Sequence, residues 1–212
     1  MNDIKKIDYS KTPNIVVDNV FTENEIENIY SAINNPSGTA FISFHSQENT
    51  FINLPDNIIQ KVTDYAKQIS GSNSLILSEY CHAKYQNKMS KDGKYCYRPS
   101  LFPHYDETFI EPRFTFDYQL NANIDWPIIA EPNIKLILKN NQAATFSGTH
   151  QIHWRDPIEF KDNDFVEMIF FHFSDIALSS KTDEENKYIM SKAQKYKSEF
   201  LASGGFTNDY RE

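Results

Sequence analysis

Between Leu75 and Phe173 the chain runs through short stretches rich in aromatic and β-branched residues, and this restricts the fold more than any other feature. Leu75–Gln86 is rich in residues that suit strands. From Tyr95 the pattern continues through Tyr97, Phe102, Phe109, Phe114, Phe116 and Tyr118, then through runs at 126–130, 134–138, 143–146 and 166–173. Such side chains fit a pleated, half-buried surface, so a β-core of about eight strands over about 75–175 is expected. Asn87–Lys94, polar and containing Asp92-Gly93, reads as a loop or hairpin tip.

Helical signals flank this core. Thr22 followed by Glu25 is a capping-box signature, and Ile26, Ile29 and Ile33 recur at helical spacing, which predicts a helix over about 23–34. Strand-like residues at 40–45 and a short apolar run at 51–54 precede a second helix, opened by Pro55-Asp56 and marked by Ile58, Val62, Tyr65 and Ile69. The N-terminal helices thus lie within about 20–70. Thr182 with Glu185 opens a last helix over about 182–203, with Ile189, Ala193, Tyr196 and Phe200 on one face and Gly204-Gly205 at its end. The expected fold is mainly β (α+β): a double-stranded β-helix, or jelly roll, with flanking helices packed on one sheet. At 212 residues the chain suits one domain spanning 1–212.

The mouth of such a barrel is a natural ligand site, and one motif suggests its chemistry. His104-Tyr105-Asp106 places an imidazole and a carboxylate two residues apart, so on an extended backbone both project to one side while Tyr105 faces away. Two imidazoles and one carboxylate form the set that holds a reactive iron(II) ion with one face left open. The segment 143–155 offers two distal candidates, His150 and His153, of which His153 is preferred.

The pattern resembles that of the iron(II)- and 2-oxoglutarate-dependent dioxygenases, most closely their prolyl-hydroxylase-like branch. The resemblance covers roughly 75–173, with a weaker echo at Val20-Phe21-Thr22-Glu23-Asn24-Glu25. In that branch the distal histidine is commonly followed four positions on by Pro and an aliphatic residue; His153 with Pro157-Ile158 matches and His150 does not. The resemblance implies that His104, Asp106 and His153 hold Fe(II) and that 2-oxoglutarate is the co-substrate. It also implies that dioxygen is the oxidant and that a peptide, amino acid or small metabolite is hydroxylated. Many relatives carry Arg or Lys about ten residues past the distal histidine to pair with the far carboxylate of 2-oxoglutarate. Here positions 163 and 164 are Asn and Asp, which leaves Arg155, Lys161 and Arg113 as candidates. Arg155 is favoured, because it lies two residues after His153 and shares its face on an extended strand.

Other readings are narrower. A non-catalytic jelly-roll binding protein is supported only by the missing basic residue, and a cupin-type metal enzyme usually holds more histidines. Glu107 beside Asp106 invites a two-carboxylate hydrolase that nothing else supports, and there is no Walker, Rossmann or Gly-x-Ser-x-Gly motif. His45, His82 and His172 read as core or sheet-face histidines. Twenty-nine acidic against 21 basic residues give a net charge of −8, which disfavours a broad nucleic-acid surface. Two cysteines, 81 and 96, fit reduced thiols rather than a disulfide scaffold. Met1–Asn14 is polar and no stretch approaches membrane-spanning length, so a cytoplasmic protein is expected.

Overall fold

The computed structural model describes residues 7–38, 41–42, 47–89, 96–106, 113–178 and 180–205. Phe109, Glu107, His45 and most of the Asn87–Lys94 loop lie outside them. The described residues form three helices, α1 (Glu23–Asn34), α2 (Asp56–Ser70) and α3 (Asp183–Ala202), and a set of mostly short strands. The first six are β1 (Val16–Val17), β2 (Phe41–Ile42), β3 (Gln47–Thr50), β4 (Leu75–Gln86), β5 (Lys88–Met89) and β6 (Cys96–Tyr97). Then come β7 (Leu101–His104), β8 (Phe114–Ala122), β9 (Ile128–Ala130), β10 (Ile134–Leu136), β11 (Gln142–Phe146), β12 (His153–Arg155) and β13 (Phe165–Asp175).

Two sheets face each other. The larger has the order β1-β11-β8-β13-β4-β3-β2 and the smaller β10-β9-β12-β7, with antiparallel pairing throughout; β5 and β6 form a separate hairpin. This is the expected jelly roll. Alternation along β8 explains how it is held. Phe114, Phe116, Tyr118 and Leu120 join Ile169, Phe171 and Phe173 of β13 in one apolar cluster with Ile29 of α1 and Ile58, Val62 and Ala66 of α2. Burying each such side chain contributes on the order of 2 kcal/mol, so this outer layer anchors the larger sheet to both helices.

The two N-terminal helices pack on one sheet, as expected, and α3 covers the other. Ile189 and Phe200 of α3 meet Ile129, Ile152 and Trp154, with Phe102 and Tyr105 at the edge of the contact. Both predicted capping boxes form. Thr22 Oγ1 accepts from the Glu25 N–H at 3.3 Å while the Thr22 N–H donates to Glu25 at 2.8 Å, and Thr182 with Glu185 repeats the geometry. Each box satisfies two backbone donors that a helix start would otherwise leave open, worth about 1 kcal/mol. Gly204, at φ 93°, ends α3 in a left-handed conformation that a side chain would oppose.

Between the sheets lies a second apolar cluster including Trp126, Ile128, Ala144, Phe146 and Met168. It fills one part of the barrel. The rest is lined by polar side chains.

Candidate metal centre

Strand register brings the two histidines together. His153 of β12 is paired directly with His104 of β7, and their ring centres are 4.3 Å apart. Regular pairing of β7 stops at His104. Asp106 instead donates its backbone N–H to the carbonyl of Gly148 at 2.7 Å, in the loop between β11 and β12. The chain therefore turns onto that loop while keeping the carboxylate on the side of the imidazoles. Asp106 Oδ1 lies 3.5 Å from His153 Nε2 and 3.9 Å from His104 Nε2. One donor atom from each of the three residues falls within 4.8 Å of the others, and among the described residues this is the group so arranged.

The backbone orients both rings. His104 Nδ1 lies 2.8 Å from the Phe102 carbonyl and His153 Nδ1 lies 3.2 Å from that of Gln151. A carbonyl only accepts, so each Nδ1 carries the hydrogen and each Nε2 lone pair faces the common point. Burial alone would raise the Asp106 carboxyl, but the charges of His153, His172 and His104 outweigh it and hold the group below the usual carboxylate range. His153 moves the other way: burial would lower it, and Asp106 raises it above the ordinary histidine value. A carboxylate that draws protons onto its neighbours equally draws a divalent cation, and the two compete. Asp106 Oδ2 is moreover buried without a hydrogen-bond partner. Donor set, ring orientation and this orphaned oxygen fit a 2-His-1-carboxylate metal site.

His150 is placed differently. Its Nε2 accepts from Arg113 at 3.2 Å and its Nδ1 faces Thr149 Oγ1 at 2.9 Å. Burial, with Arg113 and Lys181, lowers it to about 4, so it stands neutral with both ring nitrogens engaged.

The three clustered residues open onto a cavity of about 200 Å3 that Arg155 also lines. Arg155 is 2% exposed. One terminal nitrogen donates to the Trp126 carbonyl, the other lies 3.7 Å from Met168 Sδ, and Nε has no partner. The guanidinium lies 4.9 Å from the Trp126 ring centre and 5.9 Å from that of Tyr85. It thus reaches from the strand of the distal histidine to the inner face of β13. Arg113 lines a different cavity, of about 490 Å3, beside Tyr9, His150 and Lys181. Lys161 is exposed and lines a third groove with Pro157 and Phe160. Neither reaches the cavity of the triad.

Reading the sequence missed several lining residues. His172, expected to be an ordinary sheet-face histidine, does have the hydrogen-bond partner that reading implies, with Nδ1 2.8 Å from Glu79. Its Nε2, however, lies 4.0 Å from Asp106 Oδ2, on the cavity wall. Thr115 and Asp117 line the wall as well. A signal existed for them: Thr115, Asp117 and Gln119 alternate with the aromatic residues of β8, so the strand has one oily and one polar face.

No family model matches the sequence, and no curated protein does. Solved structures do match. One is an oxidoreductase of the 2OG-Fe(II) oxygenase family from Burkholderia pseudomallei, at 9% identity and TM-score 0.57, covering 82% of this chain and 93% of that one. A second is the viral collagen prolyl hydroxylase of Paramecium Bursaria Chlorella virus-1 in a 2OG complex, at 13% identity and TM-score 0.53, covering 78% and 97%. A third is a prolyl hydroxylase from Trichoplax adhaerens in complex with a hypoxia inducible factor peptide fragment, at 12% identity and TM-score 0.52, covering 81% and 89%. The protein therefore has a jelly roll in which a cluster of two histidines and one aspartate opens onto a cavity. That fold is the one shared by the 2OG-Fe(II) oxygenases.

Proposed function

We propose that the chain is a single-domain iron(II)- and 2-oxoglutarate-dependent dioxygenase that hydroxylates a peptide, an amino acid or a small metabolite. The observation that carries the reading is the convergence of His104, Asp106 and His153 on one point beside a cavity of the jelly roll. Bound there, iron(II) supplies the means to couple oxidative decarboxylation of 2-oxoglutarate, which yields succinate and carbon dioxide, to insertion of the second oxygen atom of dioxygen into a C–H bond.

The chain's own residues hold and orient. His104 and His153 present Nε2 because carbonyls fix Nδ1, and the Gly148 carbonyl clamps the backbone of Asp106. Arg155 offers the far carboxylate of 2-oxoglutarate a cation already stripped of water, with Nε still free to donate. It supplies the charge that relatives place on the following strand, which weakens the case for a binding-only jelly roll. Leu101, Phe146 and Phe170 line the same cavity and limit water around the reacting groups.

The acidic surface favours a peptide or metabolite over nucleic acid as substrate. No helix among the described residues is long and apolar enough to cross a membrane. A cytoplasmic location belongs to the same proposal and is supported by cysteine usage, two residues in 212.

Anaerobic addition of iron(II) and 2-oxoglutarate is expected to give the weak visible charge-transfer band of the chelate, and its absence would count against the reading. In Arg155→Met, iron binding should persist while 2-oxoglutarate affinity drops by about a hundredfold, the usual cost of removing one partner of a buried charge pair. Unchanged 2-oxoglutarate affinity would move the carboxylate site elsewhere. Thermal unfolding of the variant separates this from loss of the fold.

A further inference from the structure

Asp117 lines the same cavity as the triad and Arg155. It lies at the middle of β8, on the polar face turned away from α1 and α2, and is 7% exposed. Its Oδ1 is buried without a hydrogen-bond partner, as are Thr115 Oγ1 and Arg155 Nε. An ionised carboxylate there would hold Oδ1 out of water without a protein donor, an unfavourable state for such a group. Charge balance points the same way. With iron(II) and 2-oxoglutarate in place, the metal and Arg155 would carry three positive charges, and Asp106 and the dianion three negative ones. A charged Asp117 would add a further negative charge beside a dianion, with only His172, already paired with Glu79, to offset it.

We propose that Asp117 recognises the co-substrate as a neutral acid, donating its carboxyl hydrogen to an oxygen of 2-oxoglutarate. The inference rests on the oxygenase reading above. The titratable and charged groups that act on Asp117 across the cavity are His172 of β13, His153 and Arg155 of β12, Asp106 beyond β7, and Tyr85 and Cys81 of β4. Burial raises the Asp117 carboxyl to about 7 against the opposing pull of His172 and His153, with Asp106 adding to the rise and Arg155 opposing it. Burial also raises Tyr85 and Cys81, which keeps both neutral. The donor is present while the carboxyl keeps its proton and is lost as rising pH removes it.

The test is an anaerobic titration of the iron(II)-loaded protein with 2-oxoglutarate, read by the charge-transfer band and by calorimetry, from about pH 6 to about pH 8.5. Wild-type affinity should weaken steadily on the alkaline side. Asp117→Asn keeps volume and a donor, so it should match wild type near pH 6 and stay flat where wild type weakens. Asp117→Leu keeps bulk without a donor and should bind about 10- to 100-fold more weakly at pH 6, again without the alkaline fall. The proposal is overturned if Asn binds far more tightly than wild type at pH 6, since the acid would then be an ionised repeller. It is equally overturned if Leu equals wild type at pH 6, or if the wild-type profile is as flat as that of Asn. The wild-type profile tests the proposal even if a variant does not fold. Wild type that binds no 2-oxoglutarate overturns the oxygenase reading and this inference with it, whereas binding with unchanged variants overturns this inference alone.

Discussion

Asp106→Ala and His153→Ala proteins should remain folded yet give no charge-transfer band with iron(II) and 2-oxoglutarate, while His150→Ala should give it undiminished. Loss of a group that merely orients a metal ligand costs about 10- to 100-fold in affinity, and loss of one of three ligands should exceed that. His104→Ala should behave as His153→Ala does, because the two rings are cross-strand neighbours facing one carboxylate. His150 makes the sharp control: it lies three residues from His153, but both its nitrogens face Arg113 and Thr149. Iron affinity, read by calorimetry or by competition with a chelator, reports on the site without any substrate. A band that survives in His153→Ala and disappears in His150→Ala would reverse the assignment. Protons compete with metal for these groups, so iron affinity should also fall as pH drops and His153, raised by Asp106, takes up its proton.

A second large effect is expected at a residue that has no side chain of its own. Gly148→Ala should lower iron affinity by about 10- to 100-fold, as other displacements of a ligand's support do. A Cβ at this position would overlap Asp106 Oδ2 and stand 2.6 Å from Thr115 Oγ1. The same residue accepts the Asp106 N–H through its carbonyl. Backbone and carboxylate cannot both keep their places, so the loop must retreat or the carboxylate must swing. Overpacking of this kind costs about 1–3 kcal/mol, which thermal unfolding would register as a modest fall. The informative result is a metal defect larger than the stability defect. Wild-type iron affinity in Gly148→Ala would show that the loop yields and that the close approach is incidental.

Much of the architecture was legible in the sequence because it is written in short-range chemistry. The capping boxes at Thr22 and Thr182 mark the starts of α1 and α3, and Gly204 marks the end of the latter. The strand-rich run from Leu75 to Gln86 is β4 with those very ends. His104 and Asp106 could be read as a pair because two residues of extended chain share a face. Partners from distant strands were harder. Whether Arg155, Arg113 or Lys161 reaches the cavity depends on the pairing of β12 with β7 and β9, which no local spacing encodes. His172 was passed over because neighbouring phenylalanines made it look like part of an oily strand. Asp117 was passed over for a similar reason, although every second residue around it is polar. The importance of Gly148 comes from a carboxylate 42 positions earlier in the chain, which no local spacing encodes.

The third helix gives the smaller sheet its backing. Ile152 and Trp154 flank His153, and Tyr105 follows His104, so these strands aim ligands inward and rest their other side, together with Phe102, on Ile189, Ala193, Tyr196 and Phe200. Helix α3 is thereby a brace for the His-Asp-His cluster, although it contributes no donor atom to it. Loosening that brace would blur the aim of both imidazoles before the larger sheet, with its own pair of helices, noticed the loss.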